Sequence, residues 1–377
     1  MKKRGMKGKA KRSLAILLAS AMAIGLAANA PNTVSEVRAE GTDKTIAGIG
    51  TSIISNPSTP DVNTAWSGSY VYFGTYNGNS VKYRVLDNNT SAFGGTTMLL
   101  DCDSVLTQMA YDADSKVWAE SDIKQYLNDS FLKASFTDTE RGAIASSTKA
   151  STVDGDGLGY PISYDSDVLL FSSLAGEKIF VLDVKEASNS SYGYSDTKFA
   201  NKAVSNRVKK DSSGNAAYWW LRSPYYDAEY STATGTVDSD GYFNINMVSG
   251  NDKSGSPLVN LSPALNINLS SVLFTSLISG TEYKLTLLDS NLSIVTTGTV
   301  SKNGNVITVP YSITGNNATQ VSVLITDKEY TASDATIKAY GKLSAGEAFA
   351  ATGSGTFTLP DDYAGCHIYI IAETVNA

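Results

Sequence analysis

The stretch from Ala217 to Leu269, AYWWLRSPYYDAEYSTATGTVDSDGYFNINMVSGNDKSGSPLVNLSPALNINL, constrains the fold more than any other part of the chain. Tyr218, Trp219, Trp220 and Leu221 form a run of large flat side chains that suits a strand buried on both faces, and Ser223 with Pro224 ends it. From Tyr242 to Met247 the residues alternate. Phe243, Ile245 and Met247 share one parity and Tyr242, Asn244 and Asn246 the other, so one set enters a core and the other faces water. Leu265, Ile267 and Leu269, interleaved with Asn266 and Asn268, repeat the pattern.

Upstream, Tyr70–Phe73 and Val81–Leu86 read as strands joined at Asn77-Gly78-Asn79, residues that supply the positive φ values of a hairpin. Met98–Cys102 is a third strand. Ser121 caps a predicted helix that places Ile123, Tyr126, Leu127 and Phe131 on one face. Thr137 and Glu140 make a capping box for a second helix, Asp183 and Glu186 repeat that device before a short turn, and Lys198–Val204 reads as one more helix. The acidic, glycine-rich loop Asp154–Gly159, with Asp165 and Asp167 beyond it, lacks the closing glutamate of a calcium loop and reads as solvated. No metal site and no cofactor are expected.

WWLRSP, the Asp-Gly turn with its alternating strand, and PALNINLSSVLF resemble the secreted Firmicutes domain family DUF6273, and the similarity extends upstream through Trp118–Ile144 and Lys178–Ala187. That resemblance implies an α+β, C-type-lectin-like fold, related to the formylglycine-generating enzymes and to the variable proteins of diversity-generating retroelements. The family commonly has Arg before Pro-Ala-Leu; here the residue is Ser262, so a salt bridge from that position does not carry over. The formylglycine-generating relatives need two active-site cysteines, and only Cys102 lies in this region. The calcium motifs of sugar-binding lectins, Glu-Pro-Asn or Gln-Pro-Asp with Trp-Asn-Asp, do not occur, so the fold implies no lectin activity.

After Phe274 the composition changes to about seven short β-rich segments, from Tyr283–Leu288 to Cys366–Ala372, the pattern of an all-β immunoglobulin-like sandwich. The N-terminus has the layout of a secretory signal peptide. A basic start from Lys2 to Arg12 is followed by an apolar run from Leu14 to Ala28, with cleavage expected after Ala39. The expected division is therefore a leader at 1–39, a linker at 40–63, a lectin-like domain at 64–276 and a sandwich at 279–377. Removing the leader moves the net charge from −7 to −14, because it carries eight Lys or Arg and one Glu. Such an acidic chain repels nucleic acid and anionic membrane, and nothing in it inserts once the leader is gone. Cys102 and Cys366 fall in different expected domains and read as buried thiols.

Chemistry is sparse. The single histidine, His367, sits in a strand pattern without a Ser, Cys or metal partner nearby in sequence, and nucleophile elbow, P-loop and zinc spacings are absent. Arg222 is expected to pair with a core carboxylate or cap carbonyls, and Trp118, Trp219 and Trp220 to be core. Asp238 and Asp240 would serve a carboxylate-dependent hydrolase, but on a Gly turn they serve the backbone first. The reading is a non-enzymatic binding protein, extracellular or on the surface of a Gram-positive-type bacterium, with an unknown protein or glycan as ligand; the alternative is a matrix or surface component without one. Tyr225, Tyr226, Asp227, Glu229, Tyr230, Tyr242, Asn244, Asn246, Asn251 and Asp252 form its expected recognition face, since Tyr with Asn is the composition of adaptable surfaces.

Overall fold

The computed structural model describes residues 16–18 and 54–374, except 151–159, 163–167, 198–203, 227–232, 248–257, 290, 316–317, 331, 333–334, 345–347 and 362. One compact unit spans Ala47–Leu287 and a second contains Leu288–Ala377. The expected helix at Lys198–Val204 and the acidic loop lie almost wholly outside the described residues.

In the first unit, β1 (Tyr70–Tyr76) and β2 (Asn79–Thr90) form the expected hairpin, with Asn77 at φ 50° and Gly78 at φ 78°. β3 (Thr97–Cys102) is buried at all six positions, and β4 (Thr107–Met109) follows it. Ser121 accepts from the Lys124 amide and starts α1 (Asp122–Tyr126), which passes through a wider π turn at Leu127–Phe131 into α2 (Leu132–Ser135). Ile123, Leu127 and Phe131 bury the face read from their spacing. The capping box of Thr137 and Glu140 opens α3 (Asp138–Ala143).

Then come β5 (Ile179–Phe180), β6 (Trp219–Pro224), β7 (Ala233–Val237), β8 (Phe243–Met247), β9 (Val259–Leu261), β10 (Ala264–Asn268), β11 (Val272–Ser279) and β12 (Glu282–Leu287). They build a seven-stranded sheet, β5-β10-β3-β2-β1-β12-β11, and a five-stranded sheet, β8-β7-β6-β9-β4. Most pairings are antiparallel; β12 with β1 and β9 with β6 are parallel. Trp219 and Trp220 are fully buried in β6, and their indole N–H groups donate to the carbonyls of Arg207 and Met109. Each such ring removes ~150–250 Å² from water, worth at most roughly 4–6 kcal/mol.

The α+β, C-type-lectin-like expectation is overturned. The protein is mostly β, with 46% strand against 12% helix. The capped helix starts are real but short; among the described residues one helical run, from Asp122 to Ser135, exceeds two turns. Intervening segments join small ribbons instead, such as Ser147–Lys149 with Leu174–Glu177.

Two boundaries also fall elsewhere. Ile54–Asn63, read as spacer, is tied to the first unit: Ile54 is buried, the Asn88 amide donates to Asn56 at 2.6 Å, and the Ser205 amide donates to the Val62 carbonyl at 2.9 Å. Tyr283–Leu288, read as the first strand of the sandwich, falls almost wholly in β12 (Glu282–Leu287), which pairs with β1 and β11, and the division of units lies at Leu287–Leu288.

The second unit is all β. β13 (Ser293–Thr296), β14 (Ser301–Asn303), β15 (Val306–Thr314) and β18 (Thr352–Thr358) make one sheet around β15. β16 (Gln320–Thr326), β17 (Ile337–Lys342) and β19 (His367–Glu373) make the other, with Ile16–Leu18 paired antiparallel to Tyr369–Ile371. Ile307, Val309, Val323, Ile325, Phe357 and Ile370 share one core between them. Such a unit is compatible with an immunoglobulin-like fold.

Candidate functional site

The β7–β8 hairpin carries the central alternating strand. Val237 and Phe243 pair across it and are buried, while Tyr242 is half-buried and Asn244 exposed. Its turn is made by Asp238, whose Oδ1 accepts from the amides of Asp240 and Tyr242, each at 2.9 Å. Gly241 sits at φ 82°, and a Cβ there would come within 2.1 Å of the Val204 carbonyl oxygen, so no other residue fits without moving that backbone. From below, Arg207 donates through Nε to the Gly241 carbonyl at 2.7 Å and through its two terminal nitrogens to the carbonyls of Ser195 and Thr197. Its guanidinium lies 4.0 Å from the Phe243 ring centroid. The hairpin tip is thereby locked to the irregular segment beneath it.

β8 is the edge of its sheet. Its Ile245 amide is taken by the Asn244 side chain at 2.8 Å, which blunts the edge against another strand. Tyr226 is 54% exposed just beyond β6, where its amide donates to the Val168 carbonyl, at the end of the sheet away from the hairpin turn. Tyr225 departs from the expected face: it is 5% exposed and bridged to Leu169, so its ring belongs to the core. Asp227, Glu229, Tyr230, Asn251 and Asp252 lie outside the described residues, as does the Asn246 side chain. Tyr226, Tyr242 and Asn244 are therefore the expected residues that the described structure leaves accessible.

Two buried charge clusters support the scaffold. Arg222 donates to both oxygens of Glu186 at 2.6 Å, to Asp183 at 3.2 Å and to the Val181 carbonyl at 2.7 Å, and Lys149 meets Glu186 at 2.6 Å. Burial by itself would raise Glu186; Arg222 and Lys149 outweigh it and hold the carboxyl at about 2. Burial, and then Glu186 beside it, push Asp183 up. Asp183 and Glu186 also exchange the backbone bonds expected of a capping box.

The second cluster gave no sequence signal, because its members are far apart along the chain. Lys209, wholly buried, donates to Asp101 and to the Ser262 hydroxyl, each at 2.5 Å, and Ser262 donates to the Cys102 carbonyl at 3.2 Å. Burial lowers the Lys209 pKa, with Asp101 opposing it. A serine beside a depressed lysine has the composition of a nucleophilic dyad. Here neither side chain reaches solvent and both are committed to core partners, so the pair acts as a clamp. Arg84 completes the knot, donating to Asp103 at 2.8 Å and to the carbonyls of Asn206 and Val208. Within segment 204–210 the carbonyls of Asn206 and Val208 are thus satisfied by the buried Arg84. Burial pushes the Cys102 thiol up to about 12, which leaves it unreactive. Among the described residues no group of His, Cys, Asp and Glu is arranged to hold a metal.

Part of the chain matches a family model. Residues 94–269 match the model of a domain of unknown function, DUF6273. The match covers just under half of the chain, starting before β3 and ending after β10, so the DUF6273 region holds the hairpin, the Arg222 cluster and Lys209, Asp101 and Ser262 of the second, while Arg84 and strands β1, β2, β11 and β12 come from outside it. No curated protein matches the chain. No solved structure matches it either.

Proposed function

We propose that this protein is a non-enzymatic binding protein of the cell exterior, whose recognition surface is the β7–β8 hairpin together with the exposed Tyr226 beyond β6. The observation that carries the reading is the division of β8, which sinks Phe243 into the core and turns Asn244 outward, on a hairpin immobilised by Arg207. A rigid base with aromatic and amide groups displayed on it binds with little ordering cost. Asp238 is engaged with its own turn through Oδ1, and the exposed Asp240 beside it is the carboxylate a hydrolase reading would have to use. A finer form of the proposal is that residues 225–252 vary between alleles as a diversified segment; sequencing alleles would find substitutions concentrated there or spread evenly.

The test compares the full chain with its Tyr226→Ala/Tyr242→Ala/Asn244→Ala variant on a glycan array and on a panel of purified extracellular bacterial proteins. A ligand bound by the first and lost by the second, at unchanged melting temperature, supports the reading. A ligand retained by the variant moves the site elsewhere. Export is checked separately by N-terminal sequencing of protein from culture supernatant, where a start at Glu40 is expected.

A further inference from the structure

A second, separate surface lies between the tip of the β1–β2 hairpin and the helical run. There a groove of about 210 Å³ opens between Thr75, Tyr76 and Asn77 on one side and Tyr126 and Ser130 on the other. Its floor is Phe131, which is 2% exposed. The Phe131 centroid lies 6.0 Å from that of Tyr76 and 6.2 Å from that of Tyr126, at interplanar angles of 40° and 47°. Two half-buried tyrosines thus form walls over a buried phenylalanine. Burial raises the Tyr126 pKa, and the adjoining Tyr76 raises it further.

The geometry has a local cause. Phe131 ends the π turn at Leu127–Phe131, the one place where the helical run widens. Single π turns within α-helices recur at binding sites because the wider turn shifts the side chains that follow it. The hairpin wall is equally fixed, since Asn77 and Gly78 both adopt left-handed backbone.

We infer that this groove binds a neutral sugar ring. The residues lining it carry no charged side chain, so neither an anion nor a cation finds a counter-charge there. What they do offer is two aromatic rings with hydroxyls at their edges, one carboxamide and the hydroxyls of Thr75 and Ser130. A pyranose matches that set: its C–H face lies on an aromatic ring while its hydroxyls exchange hydrogen bonds with amide and hydroxyl groups. The volume is below the roughly 300 Å³ at which drug-sized pockets begin, which suits one ring and not a larger ligand. The site uses none of the β7–β8 residues, so it stands or falls independently of the recognition hairpin.

The experiment is saturation-transfer NMR on the full chain with methyl α-glucoside, methyl α-mannoside, methyl β-galactoside and N-acetylglucosamine, and tetramethylammonium as a charged comparison. Transfer to the ring protons of at least one sugar and none to the cation is expected. Two variants locate the binding. Tyr126→Ala removes a wall, and Ala134→Trp, at an exposed position lining the groove, fills the space while leaving the aromatic cluster intact. Both should lower the sugar signal at least tenfold; should Tyr126→Ala fail to fold, Ala134→Trp decides alone. No transfer to any of the four sugars, transfer that survives Ala134→Trp, or preferential transfer to tetramethylammonium would each overturn the assignment.

Discussion

Arg222 and Arg207 are both almost completely buried, at 0% and 1% exposure, yet they are held in opposite ways. Arg222 sits in a bidentate pair with Glu186, reinforced by Asp183, and those carboxylates hold its pKa above the ordinary value despite burial. Arg207 has backbone carbonyls and the face of Phe243 as its contacts, and burial lowers its pKa to about 10. The first arrangement neutralises charge, so removing any one member strands its partners. The second leaves a desolvated cation whose purpose is geometric: it ties the irregular stretch at Ser195–Thr197 to the turn of the β7–β8 hairpin.

The largest expected effect is from Arg222→Met. It strands Glu186 and Asp183 in the core, and breaking a buried pair from one side costs about 3–5 kcal/mol. For a unit of this size that is a fall in melting temperature on the order of 10 °C, read by calorimetry. Arg207→Met should cost less, about 1–3 kcal/mol, because it abandons carbonyls and no carboxylate. A denaturation midpoint lower for Arg207→Met than for Arg222→Met would break the comparison.

Acid sharpens it. Glu186 has a folded pKa depressed from 4.5 to about 2, so its stabilisation is complete above pH 4.5 and is lost as pH falls toward 2. Asp183, raised, runs the other way and softens the slope. Glu186→Gln should flatten the pH dependence of urea midpoints in that window, whereas Arg207→Met should leave it as in the parent. Smallest of all, Tyr242→Ala and Asn244→Ala should each leave the melting temperature within about 2 °C, since a half-buried ring at a hairpin turn and an exposed amide, both away from caps and clusters, contribute little. A larger loss would place those side chains in the core.

The same contrast marks what the sequence could disclose. Asp183 and Glu186 stand three apart, and Arg222 lies inside a buried aromatic strand, so both the capping box and the need for a carboxylate partner could be read locally. Arg207 lies in VSNRVKK, which has neither periodicity nor turn chemistry. Lys209 and Asp101 are 108 residues apart, and only the folded chain brings them together. The strands around Asn77-Gly78 and the alternation of Phe243 were legible for the reason the helix starts were: short-range patterns report local geometry. Those patterns could not report how many residues lay in ribbons between the caps, and the α+β expectation failed there. Tyr225 failed by one residue, since its burial comes from a bridge to Leu169 across the chain.

The parallel pairing of β1 with β12 sets an order in time. The Tyr70 amide bonds to the Thr281 carbonyl, and Lys82 and Tyr72 both reach Glu282. The early β1–β2 hairpin therefore waits for a strand made 200 residues later, a non-local closure of the kind that slows folding. A chain cut at the end of the DUF6273 match would expose the outer edge of β1, a bare strand edge that invites aggregation. The stretch that keeps all seven strands of the main sheet together runs from Ile54 to Leu287.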